Sequence, residues 1–306
     1  MLIFLLVGPR LFLESLHDIC STPVGFYRGA GRGEAGFPEK DVPVTLIHRC
    51  VAHTLWLLSV VFCTAAAGDP PRHEIRFAVA AQFPPFQSRN QQGQLVGLNI
   101  ELGNALCLQL NVRCTWVDQV LVENFPALDA HQFDAIMGIA QTSKRRQWAN
   151  FTEDLYPFTT RLVARKSSGL LPSVRSLKGK CVGVLVGSNR EAFALAQWAP
   201  KGVIVKGFWR NDELVRSLVA GDIDATLQGT VEIREALLDS AEGQDFDFLG
   251  PAVSGELLGS GVAIAVRKPD TALRNELNGA LEQLMHNGEY QRIIQPYRLD
   301  APFPSP

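Results

Sequence analysis

The sequence predicts an α/β protein of two similar lobes, each built on a mainly parallel sheet, and three observations carry that prediction. Strand-like and helical apolar runs alternate between Ile75 and Ile139, the pattern of strands joined by crossover helices. A second alternating set begins at Cys181. Finally, Leu128-Asp129-Ala130-His131-Gln132-Phe133-Asp134-Ala135 recurs 90 residues later as Leu218-Val219-Ala220-Gly221-Asp222-Ile223-Asp224-Ala225. A helix end, a tight turn and an Asp-led strand are thus built twice.

Hydrophobic periodicity places the elements in order. The first set is strand Ile75–Ala81, helix Gly97–Leu110, strand Arg113–Val117, helix Glu123–Ala130 and strand Phe133–Ile139. The second is strand Cys181–Val186, helix Arg190–Gln197, strand Val203–Phe208, helix Asp212–Ala220 and strand Ala225–Gln228. The last segment returns with strand Gly261–Val266 and helices Asp270–Asn287 and Gly288–Tyr297. Lobes of this kind bind ligands in the crevice at the carboxyl ends of their strands.

Composition narrows the function classes. The 306 residues are 46% hydrophobic and 20% charged, ordinary for a globular chain, and 29 basic against 31 acidic residues give a net charge of −2. No positive field exists to hold a nucleic acid. Met1 to Pro43 has no usable period, whereas His48 and Arg49, the apolar run Leu55 to Cys63 and then Thr64-Ala65-Ala66-Ala67-Gly68 read as the three regions of a signal peptide cleaved after Ala67. Translation is expected to begin near Val44 or Leu46. The apolar stretch Leu55 to Ala67 spans 13 residues, too few to cross about 30 Å of hydrocarbon.

Beyond Ala67 three cysteines remain, Cys107, Cys114 and Cys181. In an oxidising compartment an odd count means one pair and one leftover thiol. Cys107 and Cys114 would stand roughly 10 Å apart on an unbroken helix, beyond disulfide reach, and can pair only if the helix ends between them. Asn111 is a suitable stop. Cys181 reads as a buried free thiol in its strand.

Motifs for metal, nucleotide or triad chemistry are missing from the sequence. His73, His131 and His286 are scattered, so no metal site and no cofactor are expected. Three segments stand out. Gln82-Phe83-Pro84-Pro85-Phe86 follows the first strand, and its prolines are expected to hold the loop extended; Phe83 could face a ligand or the core, and Phe86 is expected in the core. Arg145, in Thr142-Ser143-Lys144-Arg145-Arg146, follows the strand ending at Ile139 and can grip a carboxylate bidentately. Gly187-Ser188-Asn189-Arg190 leads into a helix whose free N–H groups suit an anion.

In this order, these residues resemble the periplasmic solute-binding proteins of polar amino-acid ABC transporters, the family that includes histidine- and lysine/arginine/ornithine-binding proteins. The matching stretches are Phe83-Pro84-Pro85-Phe86, Gly93-Gln94-Leu95-Val96-Gly97, Phe133-Asp134-Ala135-Ile136, Thr142-Ser143-Lys144-Arg145 with Phe151-Thr152 and Tyr156, Leu177-Lys178-Gly179-Lys180, and Trp198-Ala199-Pro200-Lys201-Gly202. The resemblance implies two Rossmann-like lobes joined by two hinge strands, the type II periplasmic-binding-protein fold. Lobe 1 would comprise 72–160 and 260–306 and lobe 2 161–259, with crossings near Thr159 to Val163 and Leu258 to Val262. It also implies a Cys107–Cys114 disulfide, a monomer, and an inner-membrane permease as partner.

Carried over by position, Phe83 would stack on the ligand side chain with Leu121 facing it, Arg145 would pair with the α-carboxylate, and Ser188 and Asn189 would meet the same group, with Gly138, Thr142 and Gly187 beside them. The chain departs from the family at the ammonium subsite: Gly229 stands in place of an aspartate, Ala140 in place of a serine, threonine or aspartate, and the segment Gly138 to Gln141 is one residue short. Ala80 replaces the acid that reads basic side chains. Burying an unpaired ammonium costs several kcal/mol, so the expected ligand is a small carboxylate lacking a free α-ammonium, or one whose ammonium meets an unusual acceptor, for which Glu232 is the candidate. The same resemblance extends to periplasmic cyclohexadienyl dehydratases, with Glu232 as acid and Arg145 as clamp, and to accessory or signalling receptors without transport function. Binding without catalysis is the leading expectation.

Overall fold

The computed structural model describes residues 72–259, 261–297 and 299. The upstream tract and the proposed signal peptide and cleavage point lie outside them. Among the described residues, no helix is long and apolar enough to cross a membrane.

Two sheets organise residues 74–267. The first joins β1 (Glu74–Val79), β4 (Arg113–Asp118), β5 (Ala135–Ala140), β6 (Ala149–Phe151), β7 (Tyr156–Pro157) and β13 (Gly261–Arg267), in the order β4-β1-β5-β13-β6 with β7 also on β13. The second joins β8 (Thr160–Arg165), β9 (Cys181–Leu185), β10 (Ile204–Phe208), β11 (Ala225–Gly229) and β12 (Phe246–Phe248), in the order β10-β9-β11-β8-β12. A small hairpin pairs β2 (Ser88–Arg89) with β3 (Leu95–Val96). Helices α1 (Leu98–Gln109), α2 (Asn124–Asp129), α4 (Asn189–Gln197) and α5 (Asn211–Ala220) connect the strands; α3 (Val174–Leu177) and α6 (Thr230–Ile233) are single turns, and α7 (Thr271–His286) and α8 (Glu289–Ile294) follow β13.

Among the described residues, four of the nine strand pairs in these two sheets are parallel, a departure from the mainly parallel sheets expected. β1 runs parallel to β4 and β5, and β9 to β10 and β11. β13 runs antiparallel to β5, β6 and β7, and β8 antiparallel to β11 and β12. The reason is connectivity. β8 directly follows β7 of the other sheet and β13 follows the long segment after β12, so neither is reached through the crossover helix that a parallel neighbour requires.

Alternation along the strands separates the faces of each sheet. Ile75, Phe77 and Val79 of β1 pack on one side with Met137 and Ile264, whereas Ala78, Ile136 and Ala265 pack on the other. In the second sheet Val182, Val184 and Leu227 face one cluster and Leu185 the other. This is the period of two that a sheet covered on both faces imposes.

The internal repeat has a structural cause. Asp134 N–H donates to Arg76 O at 2.9 Å while its Oδ2 accepts from Arg76 N–H at 3.0 Å. Asp224 does the same with Cys181, its N–H to Cys181 O at 2.9 Å and its Oδ2 from Cys181 N–H at 2.8 Å. Each aspartate therefore locks the start of its strand to the central strand beside it. The preceding turn is shared too: His131 and Gly221 hold matching positions with φ of 57° and 86°. A left-handed residue ends each helix, and glycine adopts that conformation at less cost than histidine.

α1 ends as expected, with Asn111 at φ 54°. The chain reverses there, Val112 N–H returns to Cys107 O at 3.0 Å, and Cys107 and Cys114 form a disulfide with Cα atoms 5.8 Å apart. Cys181 is free but only half-buried, not fully buried as expected, because β10 covers one edge of its strand and its side chain lies at the strand's first residue.

Candidate functional site

A cleft opens at the carboxyl ends of β1 and β5 in one sheet and of β9 and β11 in the other. Phe83, Leu121, Gly138, Ala140, Arg145 and Val262 line it from the first sheet's side. Ser188, Asn189, Arg190, Gly229, Thr230 and Glu232 line it from the second. The sequence-derived candidates thus converge on one cavity, apart from Thr142 and Gly187.

The loop that carries Phe83 is a closed turn rather than the extended loop expected from its prolines. Phe83 and Gln87 exchange backbone hydrogen bonds, each N–H···O at 2.9 Å, around a cis Pro84–Pro85 bond. The turn's carbonyls also cap α1, since Leu98 N–H donates to Pro85 O and Asn99 N–H to Phe86 O. Helix N-termini need such acceptors, and Gly97 provides no side-chain cap. Phe83 is nearly buried yet still borders the cleft. Phe86 lies in the core as expected, its ring stacked on Tyr156 at 5.1 Å.

Arg145 sits in a short 3-10 turn, Arg145–Gln147. Buried Thr142 orients that turn, its Oγ1 accepting from Arg145 N–H at 3.2 Å. The guanidinium donates from Nη1 to Ala140 O at 3.0 Å and from Nη2 to Gly187 O at 3.1 Å, and lies 5.8 Å from the Phe125 ring. Thr142 and Gly187 therefore act on Arg145 from behind and border a neighbouring groove instead of the cleft. Burial, then the positive charge of Arg190, pushes the Arg145 pKa down to about 10. The guanidinium stays charged at neutral pH, in surroundings that favour an anion beside it.

The start of α4 is a helix cap. Ser188 Oγ accepts from Glu191 N–H at 3.1 Å, and Glu191 Oε2 accepts from Gly187 N–H at 2.7 Å. This is the reciprocal arrangement of a capping box displaced by one residue. Ser188 N–H is occupied by Leu185 O, and the Asn189 amide donates to Leu258 O at 2.6 Å. What this turn still offers a ligand is the Ser188 hydroxyl proton and the first-turn N–H groups of Asn189 and Arg190.

The Arg190 side chain is the part of the site that sequence reasoning missed, having read that residue only for its backbone N–H. Its Nη2 lies 2.9 Å from Glu232 Oε2, with both side chains largely buried at 8% and 14% exposure, and its guanidinium lies 5.8 Å from the Phe158 ring. The contact is not aligned as a hydrogen bond: Arg190 Nε and Glu232 Oε2 are both buried without a hydrogen-bond partner among the described residues. Gly229 makes room for the pair, because a Cβ there would collide with Glu232 Oε2 and come within 2.5 Å of Arg190 Nη2. No local signal marks the pair, because Arg190 and Glu232 lie 42 residues apart in the chain and meet only across Gly229.

Sequence reasoning also passed over a neutral amide network. Tyr156 OH donates to Asn99 Oδ1 at 2.8 Å, and Asn99 Nδ2 donates to Gln87 Oε1. All three are buried, and burial drives the Tyr156 hydroxyl well above its ordinary pKa. No group of three or more His, Cys, Asp or Glu residues among the described residues is placed to hold a metal ion.

The model of the bacterial extracellular solute-binding proteins, family 3, matches residues 75–300. The histidine-binding periplasmic protein of Salmonella typhimurium is 40% identical over 243 residues, covering 79% of this chain and 93% of that protein. The lysine/arginine/ornithine-binding periplasmic protein of Escherichia coli is 38% identical, covering 78% and 94%. Among solved structures, an ancestral arginine-binding protein bound to arginine aligns with a TM-score of 0.68 at 27% identity, covering 74% of this chain and 99% of that one.

Proposed function

The chain belongs to the bacterial extracellular solute-binding proteins, family 3, and on that premise we propose that it is the periplasmic receptor of an ABC transporter that captures an amino-acid-like carboxylate. The observation that carries this reading is Arg145, held at the carboxyl end of β5 by Ala140 O and Gly187 O and facing a cleft between two sheets. A guanidinium pinned on one side has its remaining donors set for a carboxylate, which the first turn of α4 can share. Glu232 takes the place of the missing aspartate as the acceptor for an ammonium, its carboxylate filling the space that Gly229 leaves. In ion contact with Arg190, Glu232 serves as a fixed negative charge, and no proton-transfer role is assigned to it.

Capture works by closure. Residues 158–159 and 249–259 lie between strands of the two sheets, and rotation about them brings Ser188, Asn189 and Arg190 against a solute resting on Arg145 and Phe83. The closed monomer then docks on an inner-membrane permease. A thermal-shift screen of small carboxylates and amino acids tests the reading: a solute present at 100 times its Kd adds about 2.7 kcal/mol of stability. The expected result is stabilisation by at least one such solute, lost in Arg145→Ala. Silence across the panel, or a response indifferent to Arg145→Ala, overturns it.

A further inference from the structure

Building on that reading, we propose that the solute is an aminodicarboxylate, with Arg145 reading one carboxylate, Glu232 the ammonium and Arg190 the second carboxylate. Two independent observations lead there. The first is charge. The residues lining the cleft include two arginines, Arg145 and Arg190, and one carboxylate, Glu232, and the polar network of Gln87, Asn99 and Tyr156 adds none. The cleft carries a net charge of +1 by that count. A zwitterion with a neutral side chain leaves this charge uncompensated, a basic amino acid adds to it, and a solute with two carboxylates and one ammonium cancels it. Matching charge matters because unpaired charge in a closed, dry site is costly.

The second observation is hydrogen bonding. Arg–carboxylate pairs frequently close as a fork with parallel N–H···O bonds, although Arg267 and Asp270, away from the cleft, do not. Arg190 and Glu232 instead meet through a single unaligned contact at 2.9 Å, leaving Arg190 Nε and Glu232 Oε2 without hydrogen-bond partners. A buried donor and a buried acceptor left unmade are expensive, and a ligand satisfies both only by bringing an acceptor and a donor together. A plain monocarboxylate has no donor for Oε2. An amino acid with an apolar side chain has a donor, but its one carboxylate is taken by Arg145, so Arg190 Nε still lacks its acceptor; a side-chain amide supplies that acceptor but leaves the cleft's positive charge uncompensated. An ammonium with a second carboxylate nearby meets both needs. That carboxylate can sit on the side chain, as in aspartate and glutamate, or on the nitrogen, as in N-carboxyalkyl amino acids.

Isothermal titration calorimetry on the whole protein distinguishes these sources, using L-aspartate, L-glutamate and N-carboxymethyl-L-alanine against L-glutamine, L-lysine and glutarate. At least one aminodicarboxylate should bind tenfold or more tighter than L-glutamine and glutarate, and the arm that responds identifies where the second carboxylate lies. In Arg190→Gln that preference should disappear. Arg190→Lys, which keeps a positive charge beside Glu232 and so guards against misfolding, should bind the aminodicarboxylate several-fold more weakly and narrow its preference over L-glutamine. Tighter or equal binding of L-glutamine, L-lysine or glutarate, abolished by Arg145→Ala, would overturn this inference and leave the capture reading standing. A dicarboxylate preference that survives Arg190→Gln would also overturn it, whereas no binding of any probe would overturn both.

Discussion

The carboxylate of Glu232 fills the space that a side chain on Gly229 would need, and Arg190 closes the same space from α4, its Nη2 2.5 Å from where that Cβ would stand. Three positions are thereby tied into one choice. A side chain at 229 and the Arg190–Glu232 contact exclude each other as they stand.

Gly229→Ala should therefore destabilise the protein by about 1–3 kcal/mol, the usual cost of forcing atoms into a packed site. In a Glu232→Ala background the same substitution should cost less, because only the approach of Arg190 Nη2 then remains. Chemical denaturation of the two single variants and the double variant measures this non-additivity; independent, additive effects would show that the clash is relieved elsewhere.

Glu232→Gln should be the most damaging of the single changes in the cleft. It leaves Arg190 buried beside a neutral group, and breaking a buried pair from one side costs about 3–5 kcal/mol. Arg190→Gln combined with Glu232→Gln should recover most of that stability, since no buried charge is then unpaired. Melting temperatures of the three variants at pH 7 decide the matter.

Asp134 and Asp224 play the same part in the two sheets, but with different force. Burial acts to raise the Asp134 carboxyl; hydrogen bonds from the Arg76 side chain and backbone and the charges of Arg76 and Arg267 outweigh it and hold the group below the usual carboxylate range. A carboxyl depressed in the folded state lends stability that is present above its unfolded pKa of about 3.9 and is lost as pH falls through the lower folded value. Asp134→Asn should cost about 2 kcal/mol at pH 7, and the gap from the parent should shrink below about pH 4. Asp224, whose Lys180 partner is exposed, should cost roughly half as much on the same substitution. Urea titrations from pH 3 to pH 7 would read both.

Reducing the Cys107–Cys114 disulfide should remove about 2–3 kcal/mol, the value for a short closed loop. The melting temperature should fall with a reductant in the parent and not in a Cys107→Ser/Cys114→Ser variant. Cys181→Ser should leave it unchanged, and thiol titration of the unfolded 68–306 chain should count one free group without reductant.

Much of the fold is legible in local sequence. The main strands and helices follow apolar periodicity, so β1, α1, β9 and α5 fall within about two residues of their expected limits. The repeated Asp-led strand shows that two lobes are alike, and Asn111 marks the reversal that lets two cysteines seven residues apart bond. Each of these depends on neighbours in the chain or on a backbone preference that one residue carries.

What local sequence determined about the site is the list of residues near strand ends, from Phe83 to Glu232. Tertiary structure decided their roles. β8 and β13 turned the sheets partly antiparallel because they arrive from another lobe. Thr142 and Gly187 became supports for Arg145 because its N–H meets Thr142 Oγ1 and its guanidinium meets Gly187 O. Arg190 looked like an ordinary first-turn helix residue, and only the packing of α4 beside α6 set it against Glu232, across 42 residues of chain and over a glycine with no side chain to keep them apart. Periodicity reports which face of an element is buried; which charge a buried side chain meets is set by the element packed against it, and that information is carried by no local stretch of the chain.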